Sequence, residues 1–471
     1  MTYAVSGTAR AADSPVPGAT VGVPRAAGGP PAGEHARWLV WPRTMAGGTA
    51  SIRLRAEMFA AFAVLVAMRI PGVLTGRFWA EDGFFFVDAL RLPWSRALLQ
   101  QHTGYLDLVA SVTMVLATRL VNPEDAPQVS LAVSLCVQVL PGLLLATGGI
   151  RAMRSPWCLG SALLILATVP VAEEVWLSPI TAQYHLIVAV AIILASEPGR
   201  GWTRWLYRAV LLLAPFAGPG PSLIAPLFFL RLRRDCSPER IGQAVLISVG
   251  TLVQIAVLLG HPVQDRGLGL APDLLLMVVA IKHILVPLLW RSELLATAVP
   301  LMHAWQDDPW NTWPLLAMTG SAAVLTVFGV AAWRSRNEAA RWLYLAAVLT
   351  MVLSYAGSLG PKELLLNFLF GERYYVAPQM LFGLSLVTIA AAGASRAARV
   401  IAGGVVVWLI AIGAVAYVNV EPIMASGPAW RDEVAAWRAD PGHALLLWPP
   451  SFKIMLPASA AGSAPNPATT P

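Results

Sequence analysis

The chain alternates long apolar runs with short polar joints. Apolar runs occupy 56–76 and then stretches near 104–121, 126–149, 158–175, 182–196, 205–217, 221–232, 239–260, 272–290, 311–333, 341–359, 375–393 and 397–418. A helix needs roughly 20 mainly apolar residues to cross a bilayer, so the pattern predicts an all-α, polytopic membrane protein. Residues 1–55, rich in Ala, Gly, Pro and Arg, show no periodicity and read as a disordered tail. That stretch is too long and too polar for a cleaved signal peptide, so 56–76 reads as an uncleaved first span. Beyond 418 the chain turns polar, and 419–471, with Trp430, Trp437, Trp448 and many prolines, reads as a small soluble tail. No internal repeat is evident.

Composition narrows the class. Of 471 residues 57% are hydrophobic and 13% charged, against about 45–50% and about 25% in a soluble domain. A soluble enzyme, a nucleic-acid module and a disordered scaffold are excluded. The net charge of +7 is spread among short loops and not gathered on one face, so no nucleic-acid partner is expected. The basic residues are arginines except for Lys282, Lys362 and Lys453, a bias typical of a GC-rich bacterial genome. Cys136, Cys158 and Cys236 stand far apart, without metal-ligand spacing, and predict neither a disulfide nor a zinc site.

Arginine placement orients the chain, because loops rich in Arg and Lys stay cytoplasmic. With 1–55 on the cytoplasmic side, loops 150–157, 197–208, 231–240, 334–341 and 394–399 fall there too, and that side then holds 20 of the 33 basic residues but seven of the 26 acidic ones. Parity demands a helical hairpin over 209–230, broken at Gly218-Pro219-Gly220-Pro221, where two prolines stop a helix. It also requires 261–310 to lie outside or re-enter from outside, and only one net crossing between 102 and 150. The expectation is about 11 crossings in a bacterial cell membrane, N-terminus inside and C-terminal tail outside.

The outward segments carry the chemistry-bearing residues. The outer loop 77–103 opens with Arg77-Phe-Trp-Ala-Glu81-Asp82-Gly83, and 84–100 reads as an amphipathic helix lying along the membrane. Of the two adjacent carboxylates one can serve as general base with a raised pKa, or both can help bind a divalent cation; the plainer reading is a helix N-cap. His102 and Tyr105 open the next run, with His102 a candidate for a hydroxyl or phosphate. Gln183 and His185 are expected at the mouth of the bundle, where polar residues line a path or simply meet solvent. Lys282, in an apolar stretch, is placed to hold a phosphate as a point charge or to snorkel to the interface. Arg373 and Tyr374 start a late span and suit a lipid-linked phosphate, or an aromatic anchor with an Arg–Glu pair. A carboxylate on the first loop and cations on later ones are what displacing a phosphate by a hydroxyl requires.

At these residues the chain resembles the GT-C superfamily of polytopic glycosyltransferases. The likeness lies in the first span, the outer loop with Glu81-Asp82, the surface helix after it, Gln183-Tyr184-His185 and Arg373-Tyr374. More narrowly the chain resembles a group of bacterial membrane proteins with a Phe-Trp-Ala-Glu-Asp-Gly loop, here Phe78 to Gly83, and a downstream Gly104-Tyr105-Leu106. The resemblance covers roughly 56–460 and lacks the His-Pro-Pro and paired Asp-Asp signatures of other branches. It implies inverting transfer of a sugar from a polyprenyl-phosphate donor to an acceptor on the extracytoplasmic face. Glu81 or Asp82 would be base or metal contact, and Arg373 and Lys282 would hold the lipid phosphate. Sugar, acceptor and metal requirement are left open. A transporter or flippase of a lipid-linked sugar is the alternative, and a scaffold presenting 419–471 a third reading.

Overall fold

The Ser51 hydroxyl accepts the Leu54 amide and starts helix α1, Ile52–Ala67, four residues ahead of the predicted span. The helix ends before Arg69, which is buried beyond it. The guanidinium of Arg69 donates to the Val169 carbonyl and lies over the rings of Trp176 and Tyr417. The structure, a computed structural model, describes residues 50–70, 76–102, 104–170, 172–261, 269–367, 370–420 and 427–457. The disordered tail expected over 1–55 lies outside these residues up to position 49.

The described chain is mostly helical. After α1 come α2 (Asp82–Arg91), α3 (Trp94–Leu98), α4 (Leu108–Leu120), α5 (Ala126–Gln138), α6 (Leu140–Ala146), α7 (Pro156–Thr168), α8 (Ala182–Ala195), α9 (Trp202–Leu213), α10 (Ala225–Leu232) and α11 (Pro238–Gly260). Then follow α12 (Pro272–Val278), a π-helical stretch Val279–Leu285, α13 (Val286–Leu288), α14 (Arg291–Asp307), α15 (Thr312–Arg334), α16 (Glu338–Ala356), α17 (Arg373–Ala392), α18 (Arg396–Val418) and α19 (Trp430–Ala439). Two antiparallel pairs, β1 (Gln101–His102) with β2 (Tyr105–Leu106) and β3 (Leu445–Leu446) with β4 (Lys453–Ile454), are the strands.

Among the described residues six helices are long and apolar enough to cross a membrane: Pro123–Ala146, α11, α15, α16, α17 and α18. The arms Trp202–Ala217 and Gly220–Leu232 bend by 119° at the Gly-Pro-Gly-Pro break. The long apolar helices make this a membrane protein. All fourteen residues of α8 are buried, as expected of a helix that is apolar all round and shielded by neighbours.

Gly218 has φ +125°, and a Cβ there would sit 2.4 Å from Gln183 Oε1. Gly218→Ala is therefore expected to cost about 1–3 kcal/mol, read as a lower Tm in detergent; an unchanged Tm would contradict this packing.

The five arginine loops meet at one end of the bundle. Arg151 and Arg154 pair with Glu197, and Arg240 donates to the Ser196 carbonyl. Arg204 and Arg208 pair with Glu239, Arg234 with Glu338, and the Arg336 amide donates to the Ala392 carbonyl. Ala50 joins them through Arg154. Arg373 lies at the opposite end of α17, whose 20 residues span about 30 Å at about 1.5 Å each, roughly the hydrocarbon thickness of a bilayer.

Segment 271–307 enters and returns at the Arg373 end. The Ala271 carbonyl accepts from Tyr355 near the end of α16, while that of Leu288 accepts from Trp408 midway along α18. The chain then turns back through α14.

Two expectations are corrected. The surface helix predicted over 84–100 is two helices, because Leu92-Pro93 is extended and proline offers no amide to continue α2. The C-terminal segment is not a free soluble tail. Trp430, Val434 and Trp437 of α19, with Leu445, Leu447 and Ile454, form one buried cluster with Phe78, Phe85 and Phe86 of the first loop and Ala110 and Met114 of α4. Residues 458–471 lie outside the described residues.

Candidate functional site

The first loop is bent by its own backbone and held by the C-terminal segment. Ala80 adopts φ +33°, rare for a residue with a side chain, and follows Trp79, which lies between two backbone hydrogen bonds to one partner. The Ala80 amide donates to the Trp448 carbonyl (2.6 Å), and the Trp448 amide donates to that of Phe78 (3.1 Å). Arg77 is buried, its guanidinium 4.8 Å from the centres of both the Trp79 and Trp448 rings. Burial lowers its pKa to about 10, against the pull of Asp82.

This bend separates the adjacent carboxylates. Asp82 points inward and is 1% exposed. Its Oδ2 accepts the Trp79 amide (3.2 Å) and its Oδ1 the Ser178 hydroxyl (3.0 Å). Glu81 points to the bundle end, its side chain 30% exposed, with Oε1 3.5 Å from Arg373 Nη1. Asp82 thus fixes the turn and Glu81 faces the space beyond it.

Burial pushes the Asp82 carboxyl up to about 7, although the Ser178 and Trp79 hydrogen bonds favour its charged form. A carboxyl whose folded pKa exceeds its unfolded value of about 3.9 binds more protons when folded. Its contribution is therefore full below about pH 4 and declines as pH rises to about 7. The Tm of the wild type is expected to fall across that window, and Asp82→Asn to flatten the fall; identical pH profiles would show that Asp82 does not carry it.

Arg373, the first residue of α17, is held from two sides, since its Nε lies 2.8 Å from Glu174 Oε1 while Nη1 faces Glu81. Glu372 beside it is 1% exposed and its Oε2 accepts the Glu174 amide (3.2 Å). Burial raises the pKa of both Glu174 and Glu372, and neighbouring glutamates raise Glu372 further. The result is a cation clamped between two glutamates at one bundle end, with a third glutamate beneath.

The structure brings some sequence-selected residues together and sends others elsewhere. Glu81 and Arg373 converge. Tyr374 lies under the Arg373 guanidinium at 6.0 Å, and its hydroxyl accepts the Leu359 amide. Gln183 is not at an open mouth. It is buried in the first turn of α8, where its Nε2 approaches the Tyr105 hydroxyl (3.5 Å) and its Oε1 accepts the Gly220 amide (3.3 Å). His185 is likewise buried, 4.8 Å from Trp176. His102 pairs with Asp88 at 3.1 Å and stacks on Phe85 at 4.0 Å, an arrangement that fixes α2 against the β1–β2 hairpin.

Lys282 does not face outward. It is fully buried, and its ammonium donates to the carbonyls of Asn367 (2.6 Å) and Phe370 (3.0 Å) beneath the Tyr375 ring. Its carbonyl, within the π-helical stretch, accepts from Gln379 (2.7 Å). Lys282 therefore anchors the chain leading into Glu372 and Arg373, within electrostatic range of Glu372 and Glu174. Glu174, Glu372 and Arg77 are candidates that the sequence reading left in the background, although Arg77 opens the quoted first-loop motif and Glu372 adjoins Arg373.

Among the described residues no three His, Cys, Asp or Glu side chains gather as a metal-binding group. Compared with known proteins, the chain matches no family model and no curated protein.

Proposed function

We propose that this protein is a GT-C-type membrane glycosyltransferase, with about 11 crossings, that moves a sugar from a polyprenyl-phosphate donor to a hydroxyl acceptor on the extracytoplasmic face. The observation that carries the reading is the approach of the first-loop carboxylate Glu81 to Arg373, at the end of the bundle opposite the arginine loops. By the positive-inside rule that end faces away from the cytoplasm, where a sugar donor arrives already carried across on a lipid.

The chemistry uses few groups. The acceptor hydroxyl attacks the anomeric carbon and its proton passes to Glu81. The bond from that carbon to the phosphate oxygen breaks, and polyprenyl phosphate leaves with the electron pair. Arg373, aimed by Glu174, stabilises the developing phosphate charge through its guanidinium. Attack opposite the leaving group inverts the anomeric centre. Asp82 and the Trp448 contacts set the Glu81 backbone and are positioning groups.

The test is transfer by purified protein from a panel of radiolabelled polyprenyl-phosphate sugars, with cell-envelope lipids and glycans as acceptors. Arg373→Gln is expected to lower kcat by roughly 10²–10³-fold, the usual loss when a charge-stabilising donor is removed. No transfer from any donor by the wild type would refute the proposal, and movement of the intact donor across vesicles without chemical change would favour a flippase.

A further inference from the structure

At the arginine end, α15 and α16 part to leave a groove of about 420 Å³, lined by Trp333, Arg334, Arg341 and Tyr344 among apolar neighbours. Its polar groups are cationic and largely unspent. Arg334 is exposed. Arg341 gives Nη2 to the Trp333 carbonyl and covers the Trp333 ring at 4.5 Å, while its Nε is buried without a hydrogen-bond partner among the described residues. Arg234 covers the same ring at 5.6 Å. Three residues earlier, Arg231 is 9% exposed, lies 5.2 Å from the Trp342 ring, and has Nε and Nη1 buried without partners. The carboxylates in this neighbourhood are Glu338, exposed and 3.9 Å from Arg234, and Asp235, which with Glu338 acts on Arg231.

Tyr344 also lines a second cavity of about 230 Å³, walled by Phe328, Phe382, Leu386 and Val405. A cationic rim, an exposed tryptophan at interfacial depth (Trp333, 54% exposed) and an apolar slot behind them match an anionic headgroup with an attached hydrocarbon chain. We infer that the α15–α16 groove binds an anionic phospholipid, its phosphodiester held by Arg334 and Arg341 and one acyl chain running past Tyr344 into the apolar cavity. The site stands apart from the Glu81–Arg373 cluster and serves whichever reaction that cluster performs.

Native mass spectrometry of the full chain in detergent tests it, with phosphatidylglycerol and phosphatidylethanolamine added at equal concentration. The wild type is expected to retain phosphatidylglycerol roughly tenfold better, the scale set by two arginines near an anionic headgroup. R334Q/R341Q should lose that preference. Arg200→Gln, at an exposed arginine of the same end outside the groove, should keep it. Glycerol 3-phosphate in large excess should not displace the lipid. Should R334Q/R341Q fail to fold, Arg334→Gln alone, at an exposed position, must still lower the preference. Equal retention of both lipids by the wild type would overturn the inference. So would an undiminished preference in a folded variant, or displacement by glycerol 3-phosphate, which would mark a free-phosphate site.

Discussion

Glu81→Gln is expected to lower sugar transfer from a polyprenyl-phosphate donor by about 10²–10⁴-fold, the range over which a positioned general base contributes. The fold should survive, because the Glu81 side chain is 30% exposed and its ion-pair partner, Arg373, keeps Glu174 at 2.8 Å. Donor binding should change little, since a glutamine leaves Arg373 free for the phosphate, so the loss falls on kcat more than on KM. Asp82→Asn should behave differently. Its carboxyl is buried against Ser178 and the Trp79 amide, so loss of activity there should accompany a changed Tm and pH profile. Equal transfer by Glu81→Gln and wild type would remove Glu81 as the base.

The second large effect is on stability. Trp437→Ala is expected to cost about 3–5 kcal/mol, the usual penalty for emptying an aromatic site in a core. Trp437 is fully buried, in the cluster that joins α19 and the β3–β4 pair to Phe85, Phe86 and Met114. That cluster supports Trp448, whose backbone brackets Trp79, two residues before Glu81. Activity should therefore fall with Tm, and Trp437→Phe should restore part of both. A Tm within error of wild type would mean that the C-terminal segment does not clamp the loop.

The gathering of the arginine loops at one end was legible because it rests on a summed, local property. Arginines near span ends report orientation one loop at a time, and the five loops they mark do meet at one end of the bundle. The Gly218-Pro219-Gly220-Pro221 break was legible for the same reason, since proline terminates helices whatever surrounds it. The division of labour between Glu81 and Asp82 was not legible. It depends on the positive φ of Ala80 and on Trp448, a residue remote in sequence. Lys282 misled because a lone lysine in an apolar run reads as an outward cation, whereas its partners are backbone carbonyls 85 and 88 positions away. Carbonyl groups occur at every residue and leave no mark in a sequence. The packed C-terminal segment carried a faint signal in Trp430 and Trp437, two helical turns apart and both buried on one face of α19.

Labelling with a membrane-impermeant maleimide in intact cells tests directly whether Glu81 and the arginine loops lie on opposite faces. Cys236, exposed in the arginine loop after α10, supplies an internal reference for the inner side. The variant Glu81→Cys should react before the membrane is opened, and Cys236 only afterwards. Reaction of both under the same condition, or of Cys236 first, would contradict an outward-facing transferase.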